Sequence, residues 1–296
     1  MIRLGLCCQF AKAPIKFSTT TASSLVKLSK QEAAVKLSRL CMSNALALQA
    51  ALLYCAGHQI GCFRINSQVL PLKTHPQLGY DLHHLPEGKE IIRAFEQCKT
   101  IAAQHGLRTV FHPDQFILLS SPHEEVTLRS IADLDYQAEV SQWIGADVIN
   151  IHGGGAYGNK DEALKRVASN VKRLSKDVRS RLTFENDDTT YTPQDLLPLC
   201  QSLKIPLVYD VHHHRCLKDG LSIEQATQAA LATWDREPLF HLSSPKEGWD
   251  GPDPLRHHDF IDPNDFPSCW RNLSVTVEIE AKAKELAVEQ IYQSLL

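Results

Sequence analysis

The sequence contains no C-x-x-C pair, although nine cysteines are scattered along its 296 residues. Neither a zinc ribbon nor a disulfide framework is therefore indicated. Unpaired cysteines suit a reducing cytosol, so we expect a cytoplasmic protein. The sequence also lacks an uninterrupted apolar run of roughly 18 residues, the length that a membrane span requires. We therefore expect no membrane partner.

An excess of positive charge is also missing, since the net charge is −3. A negative net charge of the whole chain does not indicate nucleic-acid binding. It does not exclude a nucleic-acid partner either, because a bound cation can be the largest charge in a site.

The first 31 residues carry only basic charges and many Ser and Thr, a composition shared with transit peptides. However, Ile2–Leu6 is predicted to be the first strand, which leaves no room for a removable leader. We find no linker, repeat or low-complexity block, and we expect residues 1–296 to form one domain.

Short apolar runs alternate with helical patterns along the whole chain. The runs are rich in Val, Ile, Leu and Phe without clean alternation, as expected of strands covered on both faces. The predicted strands are Ile2–Cys7, Cys62–Asn66, Thr109–His112, Val148–His152, Leu182–Glu185, Pro206–Val211, Leu239–Leu242 and Val275–Glu280.

The segments between the strands have helical periodicity. Asn159 with Glu162, and Ser222 with Gln225, are predicted N-caps with their capping partners. The predicted helices are 31–56, 88–105, 124–144, Lys160–Val178, 194–203, Ile223–Trp234 and 281–294. The segment Ser243–Trp270, rich in Pro, Gly and Asp, is predicted to be a long loop with at most a short helix.

Eight strands joined by crossovers predict an α/β fold, a TIM-type (β/α)8 barrel. The alternative, an open doubly wound sheet, would need a glycine-rich phosphate turn after the first strand. The residues at that position, Cys7-Cys8-Gln9-Phe10, do not form one.

Potential metal ligands occur at the carboxyl ends of six consecutive predicted strands. They are His112, His152, Glu185, Asp210 followed by His212–His214, His241, and Glu278 with Glu280. In a (β/α) barrel these ends meet at one mouth, where active sites lie. A single such residue would more often be structural, but buried carboxylates and imidazoles in this number need counter-charges.

Imidazole and carboxylate ligands without thiolate suit Zn, Mn or Fe(II). The set exceeds the three protein ligands usual for one catalytic zinc, so two or three ions are expected. Such a site can activate water and clamp both oxygens of a phosphodiester displacement. Three carboxylates and three divalent ions would give the mouth a charge of about +3, enough to attract a phosphate backbone.

Several motifs resemble the UV damage endonucleases along essentially the whole chain. They are Phe111-His112-Pro113-Asp114-Gln115-Phe116, Asn150–Gly158, Phe184-Glu185-Asn186-Asp187-Asp188, His241-Leu242-Ser243-Ser244 and Glu278-Ile279-Glu280-Ala281-Lys282. The resemblance implies a (β/α) barrel with a three-ion cluster, usually manganese. It also implies an enzyme that nicks damaged double-stranded DNA immediately 5′ of ultraviolet photoproducts and some other lesions.

The resemblance also implies roles for individual residues. His112, His152 and Glu185 match the ligands of one ion, while Glu185 as a bridge with Asp210, His241 and Glu280 matches a second set. His213 and His257 match a third, and His75 matches a further site histidine. We expect Glu185, Asp210 and Glu280 to be the catalytic carboxylates. Alternation along a strand favours His212 over His213, because His212 would share a strand face with Asp210; the resemblance selects His213 if the strand ends at Val211.

Gln115 and Phe116 match the pair that probes the damaged bases. A planar amide and an aromatic ring suit this role, because stacking on an unstacked base contributes about 1–3 kcal/mol. Damaged bases are poorly stacked and therefore cost less to flip.

The chain departs from the family at Leu239. Members often carry a Lys there that can be carboxylated to join the metal site, and leucine cannot ligate. This difference bears on the number of ions more than on the reaction.

Two other kinds of enzyme share the barrel and the divalent ions. One is a three-metal nuclease acting at abasic sites, and the other is a sugar isomerase or epimerase, which would leave His213 and His257 without a role. A non-enzymatic binding module would have no use for so many convergent ligands. We expect a monomer.

Overall fold

The computed structural model describes residues 2–113 and 116–295. Its strands are β1 (Ile2–Cys7), β2 (Cys62–Ile65), β3 (Arg108–Phe111), β4 (Val148–His152), β5 (Leu182–Glu185), β6 (Leu207–Asp210), β7 (Leu239–Leu242) and β8 (Val275–Ile279). Each strand pairs in parallel with the next, and β8 pairs with β1, which closes the barrel. The predicted α/β barrel is confirmed, and each predicted strand lies within one residue of an observed one.

The helices cover the outside of this barrel. They are α1 (Ala22–Leu25), α2 (Lys30–Gly57), α3 (Gly88–Gln104), α4 (Glu124–Ile144), α5 (Lys160–Val171), α6 (Lys176–Arg179), α7 (Pro193–Leu203), α8 (Val211–Cys216), α9 (Ile223–Leu231) and α10 (Glu285–Leu295). Short 3₁₀ turns occur at Leu82–His84, Pro263–Asp265 and Ser268–Trp270. The last two lie in the segment predicted to be a long loop.

Helix α2 is long and apolar enough to cross a membrane by length and composition alone. In the structure, however, it packs against α3 and β2. The side chains of Leu48, Ala51 and Leu52 on its inner face are fully buried. These contacts are those of a helix in the outer layer of a barrel.

The predicted helix Lys160–Val178 is wrong as a single element. It ends at Val171, and a second short helix begins after Ser175, whose side chain accepts a hydrogen bond from the Val178 backbone N–H. This new N-cap satisfies a backbone donor at the start of α6, which separates it from α5.

The predicted start of the last helix at 281 is also wrong, since α10 begins at Glu285. The backbone N–H groups of Lys282 and Ala283 donate instead to the carbonyls of His258 and Asp259. Residues after β8 are therefore tied to the loop that follows β7.

The side chains inside the barrel are apolar at one level and polar at the next. Below the mouth lies an apolar layer formed by Cys62, Val110, Val148, Val208 and Leu239. Leu239 is fully buried in this layer, so the side chain at this position contributes packing. The level above it is polar and forms the mouth.

Candidate metal centre

Strand pairing brings the polar side chains of the mouth to one level. His152 is paired with Glu185 across β4 and β5, and Asp210 is paired with His241 across β6 and β7. Because parallel strands in register present their ends at the same height, residues far apart in sequence meet at the carboxyl end of the barrel.

Glu185 lies at the centre of this cluster and is fully buried. Its Oε2 is 3.0 Å from His112 Nε2 and 3.9 Å from His152 Nε2. Its Oε1 is 3.0 Å from His241 Nδ1 and 3.5 Å from His213 Nδ1. Two atoms that each lie ~2.1 Å from one ion would be ~3.0–3.4 Å apart, so the two 3.0 Å spacings, to His112 Nε2 and His241 Nδ1, fit pairs of ligands that share an ion.

Three groups in the described part of the chain could each hold an ion. They are His112 with His152 and Glu185, His112 with His241 and Glu280, and Glu185 with Asp210 and His213; within each group the ligand atoms lie within 4.8 Å of one another. Glu185 and His112 each belong to two groups. The arrangement therefore suits a cluster of neighbouring ions.

Asp210 provides an independent test of whether an ion fits. Its Oδ1 accepts the backbone N–H of His213, but its buried Oδ2 has no hydrogen-bond partner among the described residues. A buried carboxylate oxygen without a partner is costly. An ion between Asp210, Glu185 and His213 would remove this cost.

His213 rather than His212 faces the cluster. Strand β6 ends at Asp210, which caps α8, so the alternation that favoured His212 does not extend this far and that expectation is wrong. His213 Nδ1 lies 2.9 Å from the carbonyl oxygen of Asn186. Because a carbonyl only accepts, Nδ1 donates, and Nε2 is left for an ion. The ring of His212 instead contacts Trp249 in a tilted arrangement and His257 in an edge-to-face arrangement.

The charges of the imidazoles and carboxylates in the cluster stabilise one another. Burial opposes ionisation of Glu185, but the neighbouring imidazoles outweigh it and hold the pKa of its carboxyl well below the usual range. Burial likewise disfavours the charged form of His241 and His213, yet the adjacent carboxylates raise their pKa values to about 10 and about 9. Ligand protons therefore balance the carboxylates, and an ion would displace them.

His257 and His75 lie further out. His257 Nδ1 is 3.8 Å from Glu280 Oε2. His75 Nδ1 accepts the backbone N–H groups of Gln77 and Leu78, which leaves Nε2 available. Neither histidine belongs to the three groups found in the described residues.

A cleft of about 540 Å³ opens above the cluster. Phe116 stands at its edge, 76% exposed, and also borders a neighbouring cleft lined by His75 and Pro113. Gln115, predicted to act with Phe116, lies outside the described residues. On the other side of Glu280 a groove is lined by Arg256, Lys282 and Lys284.

Sequence reasoning missed several residues that support the ligands. The side chain of Asn150 donates to Glu185 Oε2, and Asn186 forms a paired hydrogen bond with the backbone of Asp210. Arg64 is buried and its Nη1 lies 2.6 Å from Glu280 Oε1. An arginine inside the otherwise apolar strand Cys62–Ile65 was a signal that could have been noticed.

The closed barrel, with imidazoles and carboxylates clustered at its mouth, places this protein in the class of barrel proteins with candidate sites for divalent metal ions. The family model described as "UV-endonuclease UvdE" matches residues 2–296. The chain belongs to this family, and it is a UV-damage repair endonuclease by family.

Individual relatives agree with this assignment. A UV DNA damage endonuclease of Bacillus cereus (strain 03BB102) is 36% identical over 293 residues, with 94% of this chain and 88% of the relative covered. The crystal structure of SacUVDE matches with a TM-score of 0.88 at 28% identity, covering 100% of this chain and 98% of that one.

Endonuclease IV from Thermus thermophilus matches with a TM-score of 0.59 at 13% identity, covering 99% of this chain and 98% of that one. At that identity the likeness concerns the fold alone. The family match favours the endonuclease over the sugar isomerase or epimerase considered from the sequence.

Proposed function

We propose that this chain hydrolyses the phosphodiester immediately 5′ of ultraviolet photoproducts and some other lesions in double-stranded DNA, using two or three divalent ions. The single observation that carries the proposal is a cluster of three potential ion groups, two of which share Glu185 and two of which share His112, in a member of the UV-endonuclease family. Manganese is the ion we propose, with zinc and iron(II) as the alternatives that imidazole and carboxylate ligands also suit.

The proposed ligands are the residues of the three groups, with His257 and His75 at the periphery. Glu185 could serve as a ligand to two ions, because its two oxygens face different imidazoles. Asp210 offers Oδ2, which has no hydrogen-bond partner among the described residues, and Glu280 lies between the cluster and the basic groove. When bound, the ions would lower the pKa of water and neutralise charge that develops on the phosphate.

The surfaces beside the cluster suit a DNA duplex. Arg256, Lys282 and Lys284 line the groove next to Glu280, and such side chains bind phosphates without regard to sequence. Phe116, exposed at the edge of the cleft, is placed to stack on a base or to fill the gap that a displaced base leaves. We propose that it probes the lesion together with Gln115.

The direct test uses a duplex that carries one cyclobutane dimer at a defined position and a 5′ end label on the damaged strand. We expect Mn²⁺ to restore nicking to protein that has been dialysed against a chelator, with a product ending immediately 5′ of the dimer. An undamaged duplex and a duplex with one abasic site are the controls. Cleavage of the abasic duplex alone would favour the abasic-site nuclease instead.

A further inference from the structure

A fourth carboxylate, Glu278, lies fully buried among the ligand groups without belonging to the three groups found in the described residues. It is paired with His241 across β7 and β8 and with Gly5 across β8 and β1. A Cβ at Gly5 would lie 3.1 Å from Glu278 Cγ and 3.2 Å from Cys62 Cβ. A glycine in the middle of β1 therefore makes room for this carboxylate.

Glu278 contacts the ligand His241 on the side away from the ion groups. Its Oε2 is 2.9 Å from His241 Nε2, while His241 Nδ1 faces Glu185 Oε1 at 3.0 Å and Glu280 Oε1 at 3.5 Å. A histidine that binds an ion through one nitrogen usually donates the N–H of the other to a carboxylate, which fixes the tautomer and the ring orientation. Glu278 occupies the position of that carboxylate.

Arg64 joins this unit to a second ligand. Its Nε donates to Glu278 Oε2 at 2.7 Å, and its Nη1 is 2.6 Å from Glu280 Oε1. Its Nη2 is also 2.9 Å from His241 Nε2, and because arginine only donates, this contact is a hydrogen bond only when Nε2 carries no proton. With Nδ1 as the ligand atom, Nε2 would carry the imidazole proton and would donate it to Glu278 Oε2, 2.9 Å away.

Stability alone is a weak reason for this arrangement. A buried ion pair often costs as much in lost hydration as it gains in attraction, so apolar replacement can be neutral. The pair of Arg64 and Glu278 adds no net charge to the mouth, yet it fixes the orientation of two ligands.

We infer that Glu278 is a positioning residue: it accepts the Nε2–H of His241 and so presents His241 Nδ1 to the ions, while Arg64 links it to Glu280. This inference rests on the proposed ion centre. It assigns a function to a carboxylate that lies outside the three ion groups found in the described residues.

The first experiment measures Mn²⁺ affinity by calorimetric titration of chelator-treated protein. For Glu278→Leu we expect affinity to fall about 10- to 100-fold, the usual effect of losing such a partner. Glu278→Gln keeps an acceptor for His241 and should recover most of the affinity. Glu237→Gln is the matched control, because Glu237 pairs with Arg3 at 2.8 Å near the opposite end of the barrel; it should bind Mn²⁺ like the wild type.

Wild-type affinity in Glu278→Leu would overturn the inference, and so would an equal loss in Glu237→Gln. Absence of Mn²⁺ binding by the wild type would instead reject the proposed ion centre. A second measurement needs no folded Glu278 variant: nitrogen NMR of the zinc-loaded, histidine-labelled wild type, with the His241 signal assigned through His241→Gln. We expect a proton on Nε2 of His241; a proton on Nδ1 would contradict the inference.

Discussion

Replacing Glu185 with Gln removes the charge at the centre of the cluster and keeps the size of the side chain. The two oxygens of Glu185 lie 3.0–3.9 Å from the imidazoles of four histidines. Loss of one oriented electrostatic group in an active site typically costs about 10²–10³ in kcat. Because this carboxylate belongs to two ion groups, we expect nicking to fall by about 10³-fold or more.

The assay is single-turnover nicking of the dimer-containing duplex, combined with elemental analysis for bound metal and a thermal melt. Asp147→Asn is a suitable control, because Asp147 pairs with Arg108 at 2.9 Å at the other end of the barrel. It should nick and bind metal like the wild type. Nicking by Glu185→Gln within about tenfold of the wild type, with unchanged metal content, would refute the bridging role.

Three further predictions concern the fold around the centre. Leu48→Ala should destabilise the protein by about 2–5 kcal/mol in urea unfolding, because the leucine is fully buried against the barrel; a change below about 0.5 kcal/mol would contradict this packing. Gly154→Ala should lower both stability and nicking, since Gly154 has φ +82° and an added Cβ would collide with the Ser120 hydroxyl; unchanged melting and activity would contradict it. Glu285→Gln should cost about 1–3 kcal/mol at pH 7, because Glu285 accepts the backbone N–H groups of Ala11, Lys12 and Ala13. Burial disfavours the ionised form of Glu285, but these bonds hold its pKa below the usual value. The difference in stability between the variant and the wild type should therefore shrink as pH falls below about 4.3. A difference that persists at low pH would show that the charge is not involved.

The strands were predictable because each is a short, mostly apolar run, and six of them carry a potential metal ligand at or near the carboxyl end. The meeting of His112, Glu185 and Asp210 follows from that pattern and from barrel geometry, since all three stand at the carboxyl ends of parallel strands. The break between α5 and α6 at Ser175 was harder to predict from the sequence. The apolar periodicity continues through it, and only the local cap interrupts the helix.

The choice between His212 and His213 as the residue that faces the cluster depended on tertiary structure. It is set by where β6 ends and α8 begins. Asp210 fixes this boundary, because its side chain caps α8. The pairing of Arg64 with Glu278 joins strands β2 and β8, 214 residues apart. Nothing local to either residue indicates this contact.

The central claim is that side chains from separate strands hold divalent ions at the mouth of the barrel. The most direct measurement is an anomalous difference map from crystals soaked in Mn²⁺, with data collected at the manganese edge. We expect two or three peaks, each about 2.0–2.3 Å from ligand atoms of the three groups described above. A map without peaks there, or with peaks only on the outer surface, would contradict it.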